Sequence, residues 1–179
     1  YLNAINDNTS LSADVSYGKY TTNKSTDQPN TYSSLDGLTI FRSPHNAFDA
    51  DTKIDLLSAK IDIEKKYKQF TLSSGGKYSY INTQNQFTFY DVTNGQNEID
   101  INKSNDFNYE EKVTALYAIL SAKPSDFLSF NAGLRVENTA SIGSLISQIP
   151  INDNEVKRNY TNFFPNVSIA FNDKKTNEL

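Results

Sequence analysis

Between Leu128 and Glu137 the side chains alternate without a miss. Leu128, Phe130, Ala132, Leu134 and Val136 fall on one face, and Ser129, Asn131, Gly133, Arg135 and Glu137 on the other. This period of two belongs to a strand with one apolar and one polar face. The preceding segment, Phe107 to Ser121, carries a comparable pattern and ends at Lys123-Pro124-Ser125-Asp126. Proline presets φ for the first central position of a tight turn, so Phe107–Ser121 and Phe127–Thr139 are expected to pair as an antiparallel hairpin around Pro124.

The same unit recurs along the chain. Thr9–Thr21 aligns Leu11, Ala13, Val15 and Tyr17; Thr52–Glu64 aligns Leu57, Ala59, Ile61 and Ile63. Phe70–Asn82 aligns Phe70, Leu72, Tyr78 and Tyr80 around a central Gly75-Gly76 that weakens the strand and marks a bend or close packing. Asn159–Phe171 aligns Val167, Ile169 and Phe171, with Pro165 tolerated only near an end, at a bulge or on an edge. Long connections (22–51, 83–106 and 140–158) alternate with short turns (65–68, 122–126 and 172–175). Within 83–106, Asn94-Gly95 is the dipeptide preferred in type I′ turns and predicts a small projecting hairpin.

Composition narrows the class. The mean hydropathy is −0.59 and 37% of residues are hydrophobic, low for a compact globule. Yet 11 Tyr and 11 Phe argue against disorder. Seventeen Lys and Arg against 21 Asp and Glu give a net charge of −4 without a basic patch, so nucleic acid is excluded as a partner. The absence of Cys removes disulfides and thiolate metal sites. The absence of Met and an abrupt start at Tyr1 suggest an interior fragment or processed product. No apolar run is long enough for a membrane helix, a test that membrane strands do not meet either way. Long antiparallel strands, with large loops at one end and tight turns at the other, describe an up-and-down outer-membrane barrel.

Several stretches carry a family likeness as well. Gly76-Lys77-Tyr78-Ser79-Tyr80, Asp106 to Glu111, Ala115 to Ala118, Ala132 to Glu137 and Tyr160 to Pro165 occur in one order. Together they resemble the barrel domain of TonB-dependent receptor-like outer-membrane proteins, closely over residues 50–179 and more loosely before. The resemblance implies a barrel of about two dozen strands around a plug, energised from the inner membrane. Residues 1–179 would then be one partial barrel domain of about six long strands. Its partners would be outer-membrane lipid, the plug, the remaining strands of the parent protein and a small-molecule or glycan ligand. Alone, its open edges would drive oligomerisation.

The chemical motifs are weak. His45 is the only histidine and has no evident nucleophile, which makes it a loop residue. Asp49, Asp51 and Asp55 match three calcium-loop positions, but Ile54 and Lys60 replace the required Gly and Glu. Asp153 and Glu155 are read as solvated loop acids. Glu110, Glu111 and Glu137 are candidates for a glycosidase-like pair, with ordinary polar strand positions the better reading. Gly75-Gly76 lacks the Lys-Ser or Lys-Thr of a phosphate loop.

The expected protein is therefore not an enzyme and carries no catalytic, metal or cofactor site. It is an all-β antiparallel meander of the outer membrane, serving nutrient uptake or surface binding by a TonB-dependent mechanism. A soluble β-sandwich binding carbohydrate or protein is the alternative, followed by a glycan-acting enzyme. Arg135 and Glu137 are expected to face the lumen, and Tyr32, Phe87, Phe89 and Tyr90 to offer ligand contacts in the loops.

Overall fold

The computed structural model describes residues 2–150 and 152–171. Its strands are β1 (Leu2–Asn6), β2 (Thr9–Pro29), β3 (Tyr32–Ser33), β4 (Ile40–Arg42), β5 (His45–Lys66), β6 (Phe70–Thr93), β7 (Gln96–Ile99), β8 (Asn105–Ser125), β9 (Leu128–Ile146) and β10 (Glu155–Phe171). One sheet runs in the order β1-β2-β5-β6-β8-β9-β10, with β7 added to β6, and β3–β4 form a separate small hairpin. Every pairing is antiparallel. The long strands thus make a single meander. No second sheet layers onto it among the described residues, which removes the sandwich alternative.

The strands greatly exceed the lengths expected from the sequence. β2, β5, β6 and β8 contain 21, 22, 24 and 21 residues, and β9 and β10 contain 19 and 17. Much of each expected long connection is strand. The upper connections shrink from 22–51, 83–106 and 140–158 to 30–44, 94–104 and 147–154. At the lower end, β8 continues through Pro124 to Ser125, and the turn is Asp126-Phe127. Pro124 therefore does not open the turn. It lies where the β8–β9 register shifts between Ala122 and Ser125, an irregularity that can spare a missing amide donor. The Asn94-Gly95 hairpin forms as expected, with φ of 53° and 75° and Thr93 paired to Gln96. The expected turn at 172–175 lies outside the described residues.

Directly opposed residues share a face, so the registers assign every side chain. The outer face carries Leu11–Tyr17 on β2, Leu57–Ile63 on β5, Phe70–Tyr80 on β6, Leu116–Leu120 on β8, Leu128–Val136 on β9 and Phe163–Phe171 on β10, at alternate positions. The five β9 residues keep to one face, as expected. Val15, Leu116 and Val167 are 73, 66 and 69% exposed. Among the described residues, the buried ones, Ala115 and Thr139, are both on the inner face. A continuous band of exposed large apolar side chains is the reverse of a water-soluble surface.

The band also steps. Tyr17, Leu57, Tyr80, Lys112, Ala140 and Asn159 form one cross-strand row, and the apolar run reaches it only on β2, β5 and β6. On β8, β9 and β10 it stops four positions lower, at the row of Ala13, Ile61, Gly76, Leu116, Val136 and Phe163. A flat boundary cuts strand rows obliquely when the strands tilt, and tilt is what barrel closure demands.

Candidate functional site

At the level of the band the inner face is polar and cross-linked. Ser12, Asp62, Gly75, Tyr117, Arg135 and Phe164 occupy one row across β2, β5, β6, β8, β9 and β10. Tyr117 donates its hydroxyl proton to Asp62, which lies two strands away. Gly75 makes this reach feasible: a Cβ there would stand 2.6 Å from an Asp62 carboxylate oxygen and 2.7 Å from the Tyr117 hydroxyl. Asp62 also accepts an ion pair from Lys60 at 2.7 Å and a long hydrogen bond from Ser12 at 3.4 Å.

On the other side of Tyr117, the Arg135 guanidinium lies 5.7 Å from the ring centre. Arg135 donates to one Glu137 oxygen through Nε at 2.9 Å and Nη2 at 2.5 Å. Lys60, Asp62, Tyr117, Arg135 and Glu137 thus form one chain of contacts spanning four strands. It borders a depression of about 330 Å³ that Lys77, Phe164 and Asn166 also line. Arg135 and Glu137 occupy the inner face, paired with each other.

Above the boundary row the polarity inverts. The outer face becomes polar: Asp55 accepts from Tyr17 at 3.1 Å, Asp51 from Asn23 at 2.7 Å, and Asp49 from Tyr90 at 3.2 Å. His45 meets Asp27 there at 2.5 Å. The three aspartates act as separate cross-strand acceptors. Glu110, also outside, holds Tyr80 at 3.1 Å and Lys112 at 2.7 Å. Glu111 faces inward and accepts from Tyr109 at 2.6 Å. The three glutamates therefore do not assemble as a pair of free carboxyls.

On β5, β6 and β8 the upper inner face instead carries an apolar cluster. Phe48, Ile54 and Leu56 of β5, Ile81, Phe87 and Phe89 of β6, and Phe107, Tyr109 and Val113 of β8 all point there. Phe87 packs between Phe48 and Phe89, with ring centres 5.5 and 6.5 Å away. Of the four expected ligand contacts, Phe87 and Phe89 share this wall, and they do so from within a strand. Tyr90 points outward to Asp49, and Tyr32 sits exposed in the β3–β4 hairpin. The four do not converge. Sequence reasoning missed Phe48, Phe107 and Tyr109, although a signal was present: alternation slips phase at Leu56-Leu57 and at Tyr80-Ile81.

An apolar band outside and a salt-bridged face inside require lipid on one side only. Residues 3–179 match the model of the outer membrane protein beta-barrel family. The chain belongs to that family. A comparison with curated proteins finds no match. Membership places the protein in the outer membrane and its banded face against lipid, with the inner face toward the barrel interior. The band spans up to nine residues on β9 and β10, close to the ~9–11 residues that a tilted strand needs to cross a bilayer. The remaining length of each barrel strand rises beyond the membrane, which explains why the outer face turns polar there.

Proposed function

We propose that the protein is a TonB-dependent-type receptor that binds a nutrient at the cell surface and admits it through the barrel by gating, without catalysis. One observation carries this reading: a charged inner face at membrane level continues, on the same strands, into an aromatic-lined vestibule above it. A lipid-spanning wall alone needs about 10 residues per strand. Strands of about 21 residues rise roughly 70 Å and build a chamber on the far side. In this reading the connections 30–44, 94–104 and 147–154 face the medium, since outer-membrane barrels keep their short turns in the periplasm. The network from Lys60 to Glu137 would brace the wall against a plug inside the barrel.

The test uses cells expressing the full-length protein and a pool of labelled oligosaccharides and iron chelates. Surface binding should survive a protonophore while accumulation collapses. Accumulation indifferent to the protonophore, with steady ion conductance in planar bilayers, would identify an open pore and defeat the proposal.

A further inference from the structure

The vestibule contains a cleft with the makings of a binding site. It lies on the inner face of β8, β9 and β10, has a volume of about 390 Å³, and falls within the ~300–1,000 Å³ range of small-molecule sites. Gly143 forms its floor. A Cβ there would stand 3.5 Å from Phe107 Cζ and 3.9 Å from Tyr109 Cδ2, so the two rings border a patch of bare backbone. Phe107 is partly open to the interior, and Tyr109 is fixed by its hydrogen bond to Glu111. Rings held in place lose little freedom when a ligand arrives.

The rim is polar and largely unspent. Asp153 and Asn154 come from the β9–β10 turn, which the Leu145 amide closes by donating to the Asn154 carbonyl at 2.8 Å. Asp153 holds a left-handed φ of 58°, so the turn has a defined shape. Arg158 approaches from β10 and has no carboxylate partner among the described residues; Glu111, the nearest inward acid by register, is engaged by Tyr109.

We propose that this cleft is a carbohydrate subsite that takes one pyranose ring of a glycan. The argument is complementarity. A purely anionic ligand would meet Arg158 but also Asp153, whereas sugar hydroxyls both donate and accept. Vicinal hydroxyls can accept from the Arg158 fork, donate to Asp153 and do both with the Asn154 amide, while the C–H face of the ring lies on Phe107 and Tyr109. A site built on paired hydrogen bonds also rejects ligands lacking the hydroxyls. The proposal rests on the receptor reading and deepens it by naming a ligand class.

The test measures binding of maltotriose, cellotriose, mannotriose and galactotriose to the purified full-length protein in detergent, with 2-naphthoate as a ring-bearing acid that lacks hydroxyls. At least one trisaccharide should bind with a Kd below about 1 mM, and 2-naphthoate should not compete. Phe107→Ala and Arg158→Gln should each weaken that binding by about ten-fold, and Gly143→Val, whose side chain fills the floor, should remove it. Phe127→Ala, at an exposed ring of the opposite end, should leave it unchanged. Heat-modifiable gel mobility checks that each variant keeps its barrel. Binding to none of the four sugars, or Phe107→Ala and Arg158→Gln variants that bind as the parent does, overturns the subsite. Protonophore-sensitive uptake of another nutrient would still stand in that case, which separates the two failures.

Discussion

The lower and upper halves of the same strands obey opposite rules. Below the row of Tyr17, Leu57 and Tyr80, apolar side chains point out and a salt-bridged network points in. Above it, aspartates and amides form cross-strand hydrogen bonds outside, while Phe48, Phe87 and Phe89 pack inside. The backbone is unchanged across the boundary, so strand geometry cannot be the cause. The solvent is. A sheet meeting lipid on its outer side must put its polar residues inward, and the same sheet rising into water is free to do the reverse.

Placing a charge on the outer face tests this contrast most severely. Val167→Arg, at the middle of the apolar band on β10, should cost ~2–4 kcal/mol in refolding titrations into bilayers. Asn23→Arg, on the outer face of the upper half, should stay within about 0.5 kcal/mol. Equal costs at both positions would mean that no membrane boundary lies between them.

The inner network comes next. Gly75→Val would drive a side chain into Asp62, the Ile61 carbonyl and the Tyr117 hydroxyl, and overpacking of this kind costs about 1–3 kcal/mol. Gly76→Val points the other way. Its close neighbour is the flexible end of Leu116 at 3.2 Å, and the side chain would emerge toward lipid. Its cost should be below about 1 kcal/mol, because an apolar side chain suits that surroundings. Similar losses for both variants would show that Gly75 is present for strand bending rather than for the reach of Tyr117.

A smaller effect belongs to the vestibule. Phe87→Ala removes contacts with two rings that remain partly exposed, so its cost should be roughly 1–2 kcal/mol, below that of a fully buried Phe. The measurement is urea-induced unfolding of the upper half followed by hydrogen exchange, with the membrane-level amides still protected. Loss of protection throughout the sheet would join the halves into one cooperative unit.

The sequence made the membrane half legible and hid the other. Leu128 to Val136 alternate in one phase, and the expected faces were the observed ones. Strand limits near Thr21, Thr52, Asn82, Thr139 and Asn159 lie close to the polarity switch rather than to the strand ends. At Leu56-Leu57 two adjacent apolar residues carry the pattern from one face to the other, which reads as the end of a strand if one face is assumed to stay apolar. The Lys60–Asp62–Tyr117–Arg135–Glu137 chain was visible only as the Arg135 and Glu137 pair. Its central link, Tyr117 to Asp62, joins residues 55 positions apart in sequence, and only the register brings them together.

The mildest test concerns the connection at 94–104, which lies wholly in water and should respond to pH without involving the band. Lys103 bonds Asp100 at 2.7 Å and lies 4.4 Å from the centre of the Phe89 ring. The Asp100 amide donates to the Phe89 carbonyl at 2.8 Å, so this ion pair fastens the turn to the vestibule wall. The hydrogen bond from Lys103 holds the Asp100 carboxyl below the usual carboxylate value, and the same bond raises the Lys103 ammonium. A depressed acid contributes stability above its unfolded pKa and loses it as pH falls through the folded value; a raised base contributes below its unfolded pKa and loses it as pH rises through the folded one. The fastening is therefore complete across neutral pH and released at both extremes. Carboxylate NMR of the protein should find Asp100 titrating at lower pH than exposed aspartates, and Lys103→Gln should move it back toward them. Amide exchange at residues 100–104 should quicken in Lys103→Gln at neutral pH, while exchange in the β8–β9 ladder at Leu116 and Val136 stays the same. An unshifted Asp100, or a change that spreads to Leu116, would show that the upper connection and the membrane wall do not answer to separate environments.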